Sequence, residues 1–228
     1  VPTLSQSLPA LPAQAERLID LGVAALAGVP AATLRDAADR SRCPGALLVI
    51  DPALLPPSAL APLLRRGSKP GFVVADMRDV DDFAPITDLP RGPVYLVHDV
   101  DRGDEMSGWS PDEALPAITA AGRTPLTLTE GQHWLLQQPD ALQRNHCFMT
   151  IGSRRRKADG TLDSRTPALW ISNGTGRDGA VNRDAPKVGW CWAGNRHTWL
   201  GFASAARRSV VGMPSAAGVA EPAAQPSR

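Results

Sequence analysis

The chain has 228 residues and a formal net charge of +1, long enough to bury roughly 70% of the surface it exposes when unfolded, so a core forms without disulfide staples. Its 20 Gly and 22 Pro fall short of the ~25–30% of all residues expected of low-complexity sequence, which excludes wholesale disorder. The near-neutral total hides 18 acidic and 11 basic residues up to Asp140 against 5 and 13 after it, so the two halves can attract each other, or the basic half can meet an anionic ligand.

Residues 1–11, with Pro2 and Pro9 among small side chains, read as a flexible arm. The apolar spacing from Ala15 to Leu26 predicts a helix, and Pro30 opens a second one to about Arg40, which together make a helical hairpin. Four short apolar runs follow, at 46–50, 71–75, 94–97 and 125–128, separated by helical patterns. One helix, at Pro57 to Arg66, lies between the first two. Ser110-Pro111-Asp112-Glu113 is a capping box whose helix stops near Gly122, and Thr129 caps a later helix containing Trp134, Leu135 and Leu136. Alternating strands and helices predict a small, mainly parallel sheet within residues 12–144.

After Asn145 a period of two takes over, which predicts an antiparallel, Trp-rich part of the same domain at 145–206. Gly194-Asn195 suits a two-residue hairpin turn, pairing Trp190 with Trp199, Cys191 with Thr198 and Trp192 with His197. Residues 207–228, rich in Ala, Pro and Ser, read as a disordered tail. The fold class expected is α+β or α/β: helical hairpin, small mainly parallel sheet with helices, antiparallel Trp-rich sheet.

Three cysteines, Cys43, Cys147 and Cys191, form no C-x-x-C pair, and their scarcity fits a reducing cytoplasm. The longest nearly apolar stretch, Leu21 to Ala32, is interrupted by Pro30 and is too short for a bilayer, so neither a membrane span nor a signal peptide is expected.

Two constellations carry possible chemistry. In a parallel sheet ligands bind beyond the carboxyl ends of the strands. Asp51, Asp76, His98, Asp101 and Glu130 stand at such positions. Converging carboxylates suit Mg²⁺ in a metal-assisted hydrolase or phosphoryl-transfer enzyme, with His98 or Glu130 as base; at each strand end, an aspartate that merely shapes a turn competes with that role. The second is the hairpin face, where Trp190, Trp192 and Trp199 with His197 and Arg196 make an apolar slot with directed polar groups, or else plain core. Cys147, Cys191, His146 and His197 lack zinc-ligand spacing. No Walker loop, Rossmann fingerprint, nucleophile elbow or H-E-x-x-H stands in the chain, so no cofactor is assigned outside the Mg²⁺ alternative.

The runs Pro125 to Gly131, Asn145 to Phe148, Pro167 to Ser172 and, above all, Gly189 to Gly201 (GWCWAGNRHTWLG) give the chain a recognisable pattern. It resembles an uncharacterised actinobacterial family known only as a domain of unknown function, over about Gln14 to Ala206. The resemblance implies a bacterial cytoplasmic protein and no mechanism. Lacking catalytic motifs, the sequence favours a soluble protein that binds a small molecule, anionic in the first instance, or a protein partner. Nucleic acid ranks lower, because the total charge is close to neutral.

Overall fold

Helices α1 (Leu11–Asp20) and α2 (Ala31–Arg40) form the hairpin in the computed structural model, which describes residues 7–41 and 43–212. Gly22, at φ +74°, stops α1, so the continuous helix expected through Leu26 becomes α1 and a single turn, Val23–Leu26. Strand β1 is Leu47–Ile50, β2 Phe72–Val73 and β3 Val94–His98. Helix α3 (Pro111–Ala120) keeps its capping box, and β4 (Thr124–Pro125) leads into α4 (Leu128–Gln137). Besides two short two-residue ladders, Arg65–Arg66 with Lys69–Pro70 and Ala84–Pro85 with Ser153–Arg154, the later strands are β5 (Cys147–Met149), β6 (Arg165–Ile171), β7 (Pro186–Trp192), β8 (Leu200–Phe202), β9 (Ser204–Ala205) and β10 (Arg207–Val210). Helices and sheets together make the chain α+β.

The strand directions differ from the expectation. One sheet has the order β1-β3-β10 and is antiparallel throughout, with Leu47 opposite Val97 and Arg208 opposite Val97 on the other side. A parallel β1–β3 pair needs a packed crossover helix, and the residues between them supply no α-helix beyond the four-residue Pro57–Leu60, with two single 3-10 turns besides. That segment instead sends β2 to the edge of the second sheet, ordered β8-β5-β6-β7-β2. Within it β6 is antiparallel to β5 and β7, whereas β2 and β8 run parallel to their neighbours.

Helix α4 is the centre of the molecule, and all ten of its residues are buried. Its N-cap is Thr127 rather than Thr129: Thr127 Oγ1 accepts from Glu130 N at 3.2 Å, and Glu130 Oε2 accepts from Thr127 N at 2.8 Å. A Cβ on Gly131 would lie 2.6 Å from Thr150 Cγ2 and 2.9 Å from Leu169 Cδ1, so glycine lets the helix settle onto the second sheet. On the other side α4 meets β1, an edge strand whose free amides need partners. Leu48 N donates to Gln14 Oε1 at 2.9 Å, and Ile50 N to His133 Nε2 at 3.3 Å. Side chains from α1 and α4 thus close that edge.

One cluster of buried apolar residues runs from Leu11 to Ala205 through both sheets. The tail read from residue 207 begins too early, because Arg207–Val210 completes the first sheet. Its alanines and prolines lie further on, at 213–228, outside the described residues, as do residues 1–6 of the arm. The opposed charges of the two halves meet inside the fold: Arg155 and Arg165 bind Asp79, Arg177 binds Asp76, Arg196 binds Glu113 and Arg208 binds Glu130. Arg165 also chelates Asp163 at 2.8 Å, and this holds the Asp163 carboxyl down at about 2.

Candidate functional site

The carboxylates at the strand ends do not converge. Because β1 and β3 are antiparallel, Asp51 sits beside Pro93, where β3 begins, whereas His98 is the last residue at its other end and Asp101 lies beyond it. Asp51 accepts from Ala53 N at 2.9 Å and Asp101 from Gly103 N at 2.6 Å, so both shape turns. Asp76 follows β2 in the other sheet and pairs with Arg177. His98 shares a 2.8 Å hydrogen bond with Ser209, and burial, then Arg207, lowers its pKa. Glu130 is fully buried, with Arg208 Nη2 at 2.7 Å and Tyr95 Oη donating at 3.0 Å. No three His, Cys, Asp or Glu side chains are grouped to hold a metal among the described residues. The Mg²⁺ reading needed convergence that this topology does not provide.

The hairpin at Gly194-Asn195 also does not form. A two-residue turn with Gly first needs a positive φ there, and Gly194 is not among the glycines in that region. Strand β7 instead pairs with β6, Trp190 opposite Pro167 and Trp192 opposite Arg165. The segment after it is held by Asp112 N donating to Ala193 O at 3.1 Å and Gly108 N to His197 O at 2.9 Å, after which β8 lies against β5. The expected face is split. Trp190 and Trp192 pack edge to face, 4.5 Å between centroids, with Arg165 over Trp190. Trp199 sits elsewhere, 5.2 Å from His197 and 6.0 Å from Trp170. Arg196 is spent on Glu113, and Trp192 is 47% exposed. His197 keeps a buried Nε2 without a partner, and burial lowers its pKa.

Alternation along the second sheet explains what lies near Trp199. Phe148 and Leu169 face α4, so their neighbours Cys147, Ala168 and Trp170, with Lys187, Gly189 and Cys191 on β7, point to the opposite, outer face. That face holds a cleft of about 480 Å³. Its floor is Trp170, Trp199, Cys147 and Cys191; its rim comes from two loops and includes Arg144, Asn173, Thr175 and Arg177, with Ile171 and Trp190 at the border.

Charge at the cleft is organised around Asp178. Its Oδ1 lies 2.6 Å from Lys187 Nζ, with the side chains only 10% and 12% exposed, and its Oδ2 accepts from Ser172 Oγ at 2.8 Å. Lys187 Nζ stands 4.8 Å from the Trp170 ring centroid. The other two cations are half-exposed or more: Arg144 binds Asp184 and donates to Asn173 Oδ1 at 3.1 Å, and Arg177 binds Asp76. Burial pushes the thiols of Cys147 and Cys191 up to about 11, so both are neutral near pH 7 and poor nucleophiles.

A family described as being of unknown function, DUF5701, matches residues 17–211. The chain belongs to the DUF5701 family. No curated protein and no solved structure matches.

The DUF5701 region reaches past Ala206, the end of the resemblance read from the sequence, and so takes in β10 and Arg208. Of the aromatic residues read as a site, the DUF5701 fold brings Trp190 and Trp199 to the cleft and leaves Trp192, Arg196 and His197 outside its lining. Sequence reasoning missed Trp170, Lys187, Asp178, Arg144 and Arg177. Trp170 was the findable one: it is the lone large aromatic in an otherwise small and aliphatic run, PALWIS, on the period that points away from Leu169.

Proposed function

We propose that the chain binds a small anionic molecule in the cleft on the outer face of the second sheet. One observation carries this: the outer face bears two tryptophans in a concavity whose lining has three cations, Arg144, Arg177 and Lys187, and one carboxylate, Asp178. A volume of about 480 Å³ falls in the range of small-molecule sites, as does an apolar floor with few polar groups at its edge. The reading needs no cofactor. The free thiols of Cys43, Cys147 and Cys191 support a reducing compartment, for which we propose the cytoplasm.

Arg177 and Asp76 provide the test. Arg177 is 69% exposed on its side chain and held to Asp76, so an incoming anion competes with that carboxylate for the guanidinium. Arg177→Ala is expected to weaken binding of an anionic ligand about tenfold or more, the worth of one charge-assisted hydrogen bond. Asp76→Asn is expected to tighten it, because the guanidinium is released. Intrinsic tryptophan fluorescence during titration with anionic metabolites measures both. A panel that leaves the emission unmoved, or an Asp76→Asn variant that binds less tightly, counts against the reading.

A protein-contact role has a separate basis. Trp109 and Trp192 are 41% and 47% exposed, and the backbone bonds of Gly108 and Asp112 to the 193–197 segment place them on one side of the molecule. Exposed aromatics of this kind mark contact surfaces. Trp109→Ser, which leaves the Trp190–Trp192 pair beside the cleft in place, should leave the cleft's fluorescence response intact if the two surfaces serve different ends.

A further inference from the structure

We infer that the molecule held by the cleft is a planar aromatic ring joined to an anionic group. The inference rests on the binding reading above and narrows its chemistry.

The floor argues for the ring. Trp170 and Trp199 stand 6.0 Å apart with their planes at 79°, forming a corner of two indoles. A flat ring that stacks on one of them turns its edge toward the other, and both contacts are favourable for aromatic quadrupoles. Backbone shape prepares the corner. A Cβ on Gly189 would lie 2.8 Å from Trp170 Cη2 and 3.2 Å from Cζ2, so only glycine there lets the indole lie down across β7. Lys187, fixed by Asp178, stands against the same indole. Trp170 is therefore locked before any ligand arrives, which reduces the ordering cost of binding.

The distribution of charge argues for a single anionic group at one end. On the floor Cys147 and Cys191 carry none at neutral pH and Lys187 is neutralised by Asp178, whereas Arg144 and Arg177 stand on the rim. A bare inorganic anion would reach the arginines and leave the indoles in water. An uncharged ring would fill the corner and leave Arg177 with Asp76. A ring carrying phosphate or carboxylate satisfies both ends, and nucleoside monophosphates and aromatic acids share that chemistry.

Isothermal titration calorimetry of the full chain with four probes separates the cases: adenosine 5′-monophosphate, adenosine, ribose 5-phosphate and indole-3-acetate. At least one of the two ring-bearing anions is expected to bind about tenfold or more tightly than either adenosine or ribose 5-phosphate, the scale of one stacking interaction. Which of the two binds identifies phosphate or carboxylate as the source of the charge. Gly189→Val, which displaces the Trp170 ring, and Trp199→Leu, as a second variant with an unaltered β7, are expected to erase the preference for the ring while circular dichroism stays native. Ribose 5-phosphate binding as tightly as the better ring-bearing anion overturns ring selection and leaves the anion-binding reading standing. Adenosine binding equally well overturns the charge requirement. Silence from all four probes overturns both readings.

Discussion

Replacing Arg208 by alanine is expected to cost about 3–5 kcal/mol of folding stability, the usual consequence of leaving one member of a buried ion pair without the other. Glu130 has no exposed surface, and the Arg208 side chain is 5% exposed. Arg208 meets both carboxylate oxygens of Glu130 and donates to Pro125 O at 2.9 Å and to Thr124 Oγ1. Without it the carboxylate keeps only the Tyr95 hydroxyl and its own N-cap amide. Burial and then the Glu130 charge already push the Tyr95 hydroxyl far above its ordinary value, so that phenol stays a donor and cannot relieve the loss by ionising.

Urea denaturation of the Arg208→Ala variant measures the effect. The double variant Glu130→Gln with Arg208→Met should lose less than Arg208→Ala alone, because it removes both charges together and leaves none uncompensated. A loss under about 1 kcal/mol for Arg208→Ala, the level of an exposed pair, would show that β10 is not anchored by this contact. The same pair joins the first sheet to the N-terminus of α4, and so ties the central helix to the strand added last in the chain.

Glu130 illustrates where the sequence was legible and where it was not. Local signals were read correctly when they concerned adjacent residues: the Ser110–Glu113 capping box, the hairpin of α1 and α2, and β1 and β3 as buried apolar runs all stand in the structure. Glu130 is the N3 residue of a capping box of the same kind, shifted by two residues because the apolar run at 125–128 looked like a strand. Leu126 and Leu128 are buried in the turn and first helical residue instead. Strand direction was not legible, since apolar runs of four residues carry no information about polarity and the decisive fact was a connection without a crossover helix. That single error placed Asp51 beside His98 and Asp101 when the fold sets them at opposite ends.

The cleft was half legible for a related reason. The period of two after Asn145 is real, and it gives the two faces of β6 and β7. The partner of β7 was misassigned, because Gly194-Asn195 carries a hairpin signal that the backbone bonds of Ala193 to the first turn of α3 and of His197 to the loop before it override. Trp199 was thereby paired with Trp190 in place of Trp170, and the loops that supply Arg144, Arg177 and Asp178 had no periodic signal at all. The charge asymmetry pointed to internal attraction as one of two outcomes, and the long-range pairs of Asp76, Asp79, Glu113 and Glu130 realise it.

Lowering the pH from 7 to 4 is expected to remove about 3 kcal/mol of stability through His133 alone. This histidine has no exposed surface, and burial lowers its pKa from the model-peptide value of 6.5 to about 4. Its hydrogen bonds fix the tautomer: Nδ1 lies 2.9 Å from Thr129 O and must donate, and Nε2 accepts from Ile50 N at 3.3 Å. A proton on Nε2 would face another donor, and the edge of β1 would lose its closure. Between pH 6.5 and 4 the unfolded chain takes up this proton and the folded chain does not, so stability falls with pH across that window and is fully present above it. His98 and His197, whose pKa values burial also lowers, add smaller contributions of the same sign. His133→Gln keeps an acceptor within reach of Ile50 and does not titrate. Its unfolding free energy, measured by urea denaturation at pH 7 and pH 4.5, should fall by clearly less than that of the unaltered chain. Equal slopes in the two proteins would mean that His133 is not the residue through which acid opens the contact between α4 and β1.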